Sequence, residues 1–460
     1  MIARRLVNYL DSRLGSASFV RAALDKVFPD HWSFMLGEIC VYAFLLLLAT
    51  GTYVAFFFND SDTTIRYTGS YLPLAQRIVP ASYASVLNLS FEVPLGLFVR
   101  QVHHWSALLF TGAIIFHMCR VFFTGAYRRP RELNWYIGLS LFLLALADGF
   151  SGYSLPGDGE SGAGLRIAYS VAQSLPVVGN ALAYGFFGGR FPTDQMTSRL
   201  YILHVWLVPL AIAGAMSLHL AVLWRQHHTQ FPGPGRTESN VVGSKLWPFY
   251  AMKSIGLLVF TAAVACLLGG LFTINPIWIY GPYDPWTIAS PSQPDWYLAW
   301  LDGSLRAFPG WAIHLFGHTV PPLFWSGAVV PGLLFGALFA WPALERALLK
   351  DDREHNLVQM PYDAPWRLGL GVGTITFATL LGLLSSDDVQ AKLLHIAVEP
   401  LLTLYRVLLL VAPPVAGALA VAIGFELRAR LRSRAGLRQV RRATLRRNEA
   451  GGFEEEPGSA

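Results

Sequence analysis

Eight stretches of this chain stay apolar for about 20 residues, the length an α-helix needs to cross the hydrocarbon core of a bilayer. They lie at about 34–58, 102–123, 135–152, 201–224, 251–272, 320–341, 366–384 and 394–427, and the last is long enough to project beyond the membrane. Only 14% of the 460 residues are charged and 53% are hydrophobic, whereas a soluble chain is charged at roughly a quarter of its positions. The pattern predicts an all-α polytopic membrane protein of about eight transmembrane helices. The first span is too long for a signal-peptide core and lacks an evident cleavage site, so it is expected to be retained. Ahead of it, "MIARRLVNYLDSRL" alternates apolar and basic positions at helical spacing, which predicts a short helix on the membrane surface within residues 1–33.

Lys and Arg placement sets the orientation. With the N-terminus in the cytoplasm and eight alternating spans, 26 of the 35 Lys and Arg fall on the cytoplasmic side and 8 opposite, with Arg406 inside the last span. Both termini are then cytoplasmic. The formal net charge of +6 is mostly this topology signal, and nucleic acid is not an expected partner. Cys40, Cys119 and Cys266 lie in or beside apolar spans, and no CxxC or CxxCH pattern exists for a zinc ribbon, an iron–sulfur cluster or a covalently attached haem. The polar, Gly/Pro-rich "HHTQFPGPGRTESNVVGSK" divides the first four spans (34–235) from a C-terminal membrane region (236–427). Two long loops, 153–200 and 273–319, fall on the non-cytoplasmic side, and residues 428–460 form a basic, then acidic, partly disordered tail.

The span "VRQVHHWSALLFTGAIIFHMCR" carries three histidines where ionisable groups are rare and usually functional. His103 and His117 are 14 residues apart, about −40° around a helix and about 21 Å along it. His104 falls about −140° from His117 and is the poorer partner. In the fourth span His204 and His219 are 15 apart, about +60° and about 22 Å. One such histidine is more often a satisfied core residue than a ligand. Two pairs with matching rise, on helices expected to run antiparallel, set His103 against His204 and His117 against His219, and two opposed imidazoles close both axial positions of a haem iron. Gly37 and Gly51 in the first span, and Gly138 and Gly152 in the third, repeat the 14-residue interval. Small-residue helix packing explains one such pair; the same interval on three helices favours two flat macrocycles stacked across the membrane. Arg100 and Arg120 each lie three residues outside a histidine, one turn nearer a membrane surface, where guanidinium groups could pair haem propionates or simply snorkel.

These residues resemble a known family, cytochrome b of the quinol:cytochrome c oxidoreductases (cytochrome bc complexes). The resemblance covers the chain to about residue 427 and rests on "VHHW" (102–105), "HMCRVFFTGAYRRPRELNW" (117–135), "GYSLP" (152–156), "SRLYILH" (198–204) and "PDWY" (294–297). The undivided chain, the Asp of "PDWY" and the 15-residue spacing most resemble the actinobacterial, menaquinol-using branch. The resemblance implies a four-helix bundle around two non-covalent b-type haems, with His103 and His204 on the low-potential haem near the outer surface. His117 and His219 would hold the high-potential haem near the cytoplasm. Pro294, Asp295, Trp296 and Tyr297 would line the quinol-oxidation pocket beside Gly152 and Tyr153. A quinol that loses electrons must lose protons, and Asp295 in a partly apolar cleft is a suitable acceptor; "SQPDW" also reads as a helix entrance that Asp295 would cap. Asp302 is a second candidate proton carrier.

A quinone-reduction pocket is implied near the inner haem, where "WPFYAMKS" (247–254) supplies Lys253 but has Ser254 where mitochondrial members carry Asp. His227 or His228 could contribute. Met35 stands where photosynthetic relatives have a cysteine, which implies no third, covalent haem. His31, His314, His318, His355 and His395 are read as structural. The implied partners are a Rieske iron–sulfur protein, a cytochrome c subunit, membrane lipids, a second copy of the complex and a terminal oxidase, in the cell membrane. Two competing readings are a dihaem membrane anchor of another quinone-linked oxidoreductase, and a cofactor-free transporter that relays protons through His and Arg.

Overall fold

A computed structural model describes residues 5, 9, 11–287, 293–315, 317–440, 444–447 and 453–456. Most of the expected surface helix at 1–14 and parts of the C-terminal tail lie outside the described residues. Among the described residues eight helices are long and apolar enough to span a membrane. They are α1 (Leu36–Ala55), α2 (Gly96–Thr124), α3 (Glu132–Ser154), α4 (Met196–Gln226), α5 (Leu246–Leu271), α6 (Pro322–Leu349), α7 (Pro365–Leu384) and α8 (Val398–Val440). In lipid every backbone N–H and C=O needs an internal partner, and a helix supplies it within the segment.

Local sequence sets the ends. Pro322 and Pro365 occupy first-turn positions, where a missing N–H costs nothing. Gly125, at φ 62°, closes α2 in the left-handed conformation, its N–H returning to Phe122 and Val121 carbonyls. The apolar pattern of α6 fades near 341, yet the helix runs to Leu349, because Glu345 on its last turns is buried against Arg367 of α7 at 2.9 Å and accepts from the Tyr127 hydroxyl at 2.5 Å.

Helix α4 is not regular. Leu203–Leu207 forms a π turn in which the Val208 N–H reaches the Leu203 carbonyl. Pro209 follows and has no N–H to continue the α ladder to Val205. A π turn adds one residue to the helix without changing which face follows it.

The first four helices enclose an apolar core midway along their length: Ala43 and Phe44 of α1, Phe110 and Ile114 of α2, Phe142 and Ala145 of α3 and Ile212 of α4. Phe44 and Phe110 stack with centroids 5.8 Å apart. Helix α5 packs on α1 and α2, and α7 on α8.

The two long loops are folded. In the first, helices Gly159–Ser174 and Gly179–Phe187 pack through Leu165, Tyr169, Ala183 and Phe187 onto Leu155 and Leu200. Asp158 caps the former by accepting from the Glu160 and Ser161 amides at 2.9 and 2.8 Å. In the second, helix Trp296–Ala307 lies against α7 so closely that a Cβ at Gly303 would stand 1.8 Å from the Leu381 carbonyl oxygen; only glycine permits this approach. That contact fixes the "PDWY" segment over the bundle. On the opposite, terminal face, Val27–Pro29 pairs antiparallel with Gly243–Lys245, tying the N-terminal segment to the linker between the two halves.

Candidate functional site

Two cavities open inside the four-helix bundle, one toward the loop face and one toward the terminal face. The loop-side cavity is lined by His103, His204, Gly51, Gly152 and Arg100. The terminal-side cavity is lined by His117, His219, Gly37, Gly138 and Arg120. The imidazole centroids of His103 and His204 are 6.1 Å apart with planes at 85°, and those of His117 and His219 are 6.5 Å apart at 75°. This pairing makes α2 and α4 parallel, not antiparallel as expected, because two chain reversals lie between them. The 15-residue interval on α4 matches the 14 on α2 because the π turn at His204 takes up the extra residue.

Hydrogen bonds fix the tautomers on the loop side. Thr50 Oγ1 donates to the Leu46 carbonyl at 2.6 Å, so its contact with His103 Nδ1 at 2.9 Å must be an N–H donated by the ring. His204 Nδ1 lies 3.0 Å from the Asp148 carbonyl oxygen, which can only accept. Both rings therefore keep Nε2 as the free lone pair. A metal held by Nε2 of two rings at about 2 Å on each side would separate their centroids by about 6 Å. Each level provides two nitrogens, and among the described residues no group of three or more His, Cys, Asp or Glu could hold a bare metal ion. The remaining ligands of an iron would have to come from a macrocycle.

The glycines fit the same reading. A Cβ at Gly37 would stand 3.3 Å from His117 Cε1, at Gly51 3.0 Å from His103 Cε1, at Gly138 3.5 Å from His219 Cε1, and at Gly152 2.3 Å from His204 Cε1. Each glycine backs one imidazole. Arg100 donates through Nη2 to the Asn275 carbonyl at 3.0 Å, but its Nη1 is buried with no partner among the described residues. Arg120 packs over Phe34 at 4.1 Å, with Nε and Nη2 likewise buried and unpartnered. Buried donors left unpaired are costly, and a carboxylate of a bound group would satisfy them. The cavities thus fit haem.

Asp295, Tyr297, Tyr153 and His104 line the same loop-side cavity as His103 and His204. Asp295 is the N-cap residue of helix Trp296–Ala307, but its side chain caps nothing. It accepts instead from His104 Nε2 at 2.9 and 3.1 Å. His104, poorly placed as a partner of His117, serves the neighbouring face of α2, and an Asp 191 residues away gives no sequence signal. Tyr297 is buried, its hydroxyl where a Cβ at Gly149 would come within 2.5 Å. The Tyr153 hydroxyl is buried without a hydrogen-bond partner among the described residues. Trp296 differs from expectation: 48% exposed, it lies over Gly112, and neither it nor Pro294 is on the cavity wall. Residues 294–297 turn into a helix, so Asp295 and Tyr297 face inward while Trp296 between them faces away. Asp302 is also off this wall. Burial raises its carboxyl above the usual range, and it pairs with Arg306 at 2.8 Å, which reaches on to Asp387.

On the terminal side the cavity is also lined by Glu38, Tyr250, His228 and Arg131. Ser254 is not on its wall but donates to Glu38, which is. Lys253 and His227 do not line it either. Lys253 is half exposed and bound to Asp30, whose carboxyl it holds below the ordinary range. His227 opens on a separate surface pocket with Lys26 and Trp224. Its neighbour His228 reaches the inner cavity, and burial pushes its imidazole down to about 4. Helix α4 ends just before the two histidines, and their rings diverge.

A family profile described as "Cytochrome b(N-terminal)/b6/petB" matches residues 108–282. Curated cytochrome bc1 complex cytochrome b subunits are similar over nearly the whole chain. That of Corynebacterium diphtheriae is 47% identical over 409 residues, covering 89% of this chain and 76% of the relative. That of Mycobacterium tuberculosis is 45% identical over 414 residues (90% and 75%), and that of Streptomyces coelicolor 41% over 418 (90% and 76%). A solved chain of a "Hyperthermophilic respiratory Complex III" shares the fold, with a TM-score of 0.66 at 18% identity, covering 90% of this chain and all of that one. The chain belongs to the family of cytochrome b subunits of the cytochrome bc1 complex, and is a membrane subunit of a quinol:cytochrome c oxidoreductase.

Proposed function

We propose that this chain holds two b-type haems, one between His103 and His204 and one between His117 and His219, oxidises quinol at the loop-side cavity and reduces quinone at the terminal-side cavity. The observation that carries this reading is the shared loop-side cavity: the His103–His204 pair and the Asp295–Tyr297 segment line one continuous hollow. When bound, the haems supply one-electron transfer across the membrane. The polypeptide's part is to space them, to hold their carboxylates with Arg100 and Arg120, and to manage protons. Asp295 accepts a quinol proton at a carboxylate oxygen, with His104 beside it to share the charge. Tyr297 and Tyr153 form the apolar wall with a hydroxyl edge that excludes water and orients the quinol ring.

The loop face is the outer face and the termini are cytoplasmic, because that arrangement puts most Lys and Arg inside. Residues 34–235 act as the dihaem bundle and 236–427 as the membrane region that completes the oxidation pocket. The quinol is menaquinol, as the actinobacterial character of the sequence implies, and its oxidation is coupled to proton translocation. A Rieske iron–sulfur protein takes one electron at the outer face and a cytochrome c subunit follows it, in a homodimeric complex that associates with lipids and a terminal oxidase.

The test is an optical spectrum of the purified chain followed by turnover of Tyr297→Ala with quinol as donor. The reading expects b-type absorption and a loss of quinol oxidation of at least tenfold, with haem content kept. A purified chain without b-type absorption would overturn the two-haem reading. A haem-loaded variant with full turnover would leave only an electron-carrying anchor.

A further inference from the structure

The terminal-side cavity contains a carboxylate that no motif announced. Glu38, in the first turns of α1, lines this cavity beside Gly37. Its Oε2 accepts from the Tyr42 hydroxyl at 2.9 Å and from the Ser254 hydroxyl, and its Oε1 accepts from the Tyr250 hydroxyl. The Tyr42 and Ser254 oxygens are also 2.5 Å apart, and because each hydroxyl carries a single proton, these two hydroxyls can make only two of the three contacts at a time. Among the described residues no Lys or Arg pairs with Glu38; the one cation next to the cluster in sequence, Lys253, is engaged by Asp30. An ionisable group at the membrane boundary, dressed only by hydroxyls and open to a cavity, is expensive to keep and marks proton handling.

On the α5 side of this cluster Ser254 presents a hydroxyl, and the neighbouring Lys253 is turned to Asp30. That hydroxyl points at Glu38. We propose that Glu38 is the proton donor for quinone reduction in this cavity, with α1 supplying the carboxylate that α5 lacks. Reduction of a quinone takes two protons and two electrons, the electrons delivered here one each from two quinols oxidised in turn at the outer cavity, whose other electrons leave to the iron–sulfur protein. In one of the two protonations the O–H bond of the Glu38 carboxyl breaks as an O–H bond forms on a quinone oxygen. Glu38 reloads from the cytoplasmic side through Tyr42, Ser254 and Tyr250, since a hydroxyl can both give and take a proton. This assignment rests on the quinone-reduction reading above and deepens it.

The test uses the complete complex with wild-type, Glu38→Gln, Glu38→Asp and Glu38→Gln/Ser254→Asp chains, with haem content per chain measured in each. Reduction of the b haems by quinol through the outer cavity reports the oxidation site. Their reoxidation by added menaquinone reports the inner one. Outer-site reduction is expected to stay at the wild-type rate in all four. Reoxidation is expected to fall about 10²- to 10⁴-fold in Glu38→Gln, the range of a lost general acid, and a carboxyl band in the infrared difference spectrum of quinone reduction should vanish with it. Adding Ser254→Asp to the Glu38→Gln chain should recover both the band and at least a tenth of the rate.

Wild-type reoxidation with the band retained in Glu38→Gln overturns the assignment, as does a double variant no faster than the single. Should Glu38→Gln lose haem, Glu38→Asp decides: slowed reoxidation supports the proposal and a wild-type rate overturns it. Wild-type protein with no quinone-dependent reoxidation would overturn the quinone-reduction reading itself, whatever Glu38 does.

Discussion

Replacing each of the four bundle glycines by alanine should produce a graded loss of haem whose order is set by four distances. At Gly138 the new methyl would stand 3.5 Å from His219 Cε1, an ordinary contact; at Gly152 it would stand 2.3 Å from His204 Cε1, so that ring must withdraw by about 1.2 Å to reach the same separation. The ring is not free to do so, because its Nδ1 is held by the Asp148 carbonyl at 3.0 Å and metal ligands tolerate displacements of only about 0.2 Å. Overpacking of this kind costs about 1–3 kcal/mol, or about 5- to 150-fold in the haem-binding equilibrium. The alanine meanwhile returns about 1 kcal/mol of helix propensity at every site, so Gly138→Ala should be neutral or stabilising. Gly51→Ala and Gly37→Ala, at 3.0 and 3.3 Å, fall between, in that order. The assay is haem stoichiometry by pyridine haemochrome on each purified variant, with redox difference spectra to tell which haem is lost. Gly152→Ala should lose the outer haem selectively and Gly138→Ala should keep both. Equal damage at all four positions, or a Gly152→Ala variant with two unperturbed haems, would refute the reasoning.

Thr50→Val removes the acceptor of the His103 Nδ1–H; a ligand relieved of that bond is less basic, so the outer haem potential should rise by about 20–65 mV in a redox titration, one hydrogen bond's worth for a one-electron couple. Asp295→Asn should slow quinol oxidation about 10²- to 10⁴-fold without changing the melting temperature, since the carboxylate does not cap its helix. His228 should make the protein acid-sensitive: its folded value near 4 lies below the ordinary value near 6.5, so between these the unfolded chain binds the extra proton and stability falls with pH. At pH 5 this amounts to about 2 kcal/mol, and His228→Gln should flatten the melting temperature against pH between 7 and 5. Glu345→Ala leaves Arg367 buried and unpaired and should cost about 3–5 kcal/mol, read as a lowered melting temperature with haem absorption as the reporter.

The eight helices were legible because lipid imposes a length and an apolar composition that no other fold needs. The equal rise of the two histidine pairs was legible because 14 and 15 residues both bring a helix back near its starting face. What was hidden depended on contacts between distant segments. The π turn at His204 follows from Pro209 and becomes visible only once the backbone is drawn. The His104–Asp295 bond and the Glu38–Ser254 bond join residues about 200 positions apart, and no local pattern carries them. Trp296 shares its motif with Asp295 and Tyr297, but adjacent residues at a helix start point to different sides. Lys253 belongs to a segment that suggests a quinone site, while its ammonium group goes to Asp30 from the N-terminal arm.

The central claim is that four imidazoles at two depths grip two iron porphyrins. The most direct measurement is the amount of acid-extractable protohaem per polypeptide in the intact protein and in His103→Ala and His117→Ala. The account predicts two in the parent and one in each variant, the survivor differing between them. Fewer than two in the parent, or two remaining after either histidine is removed, would contradict it.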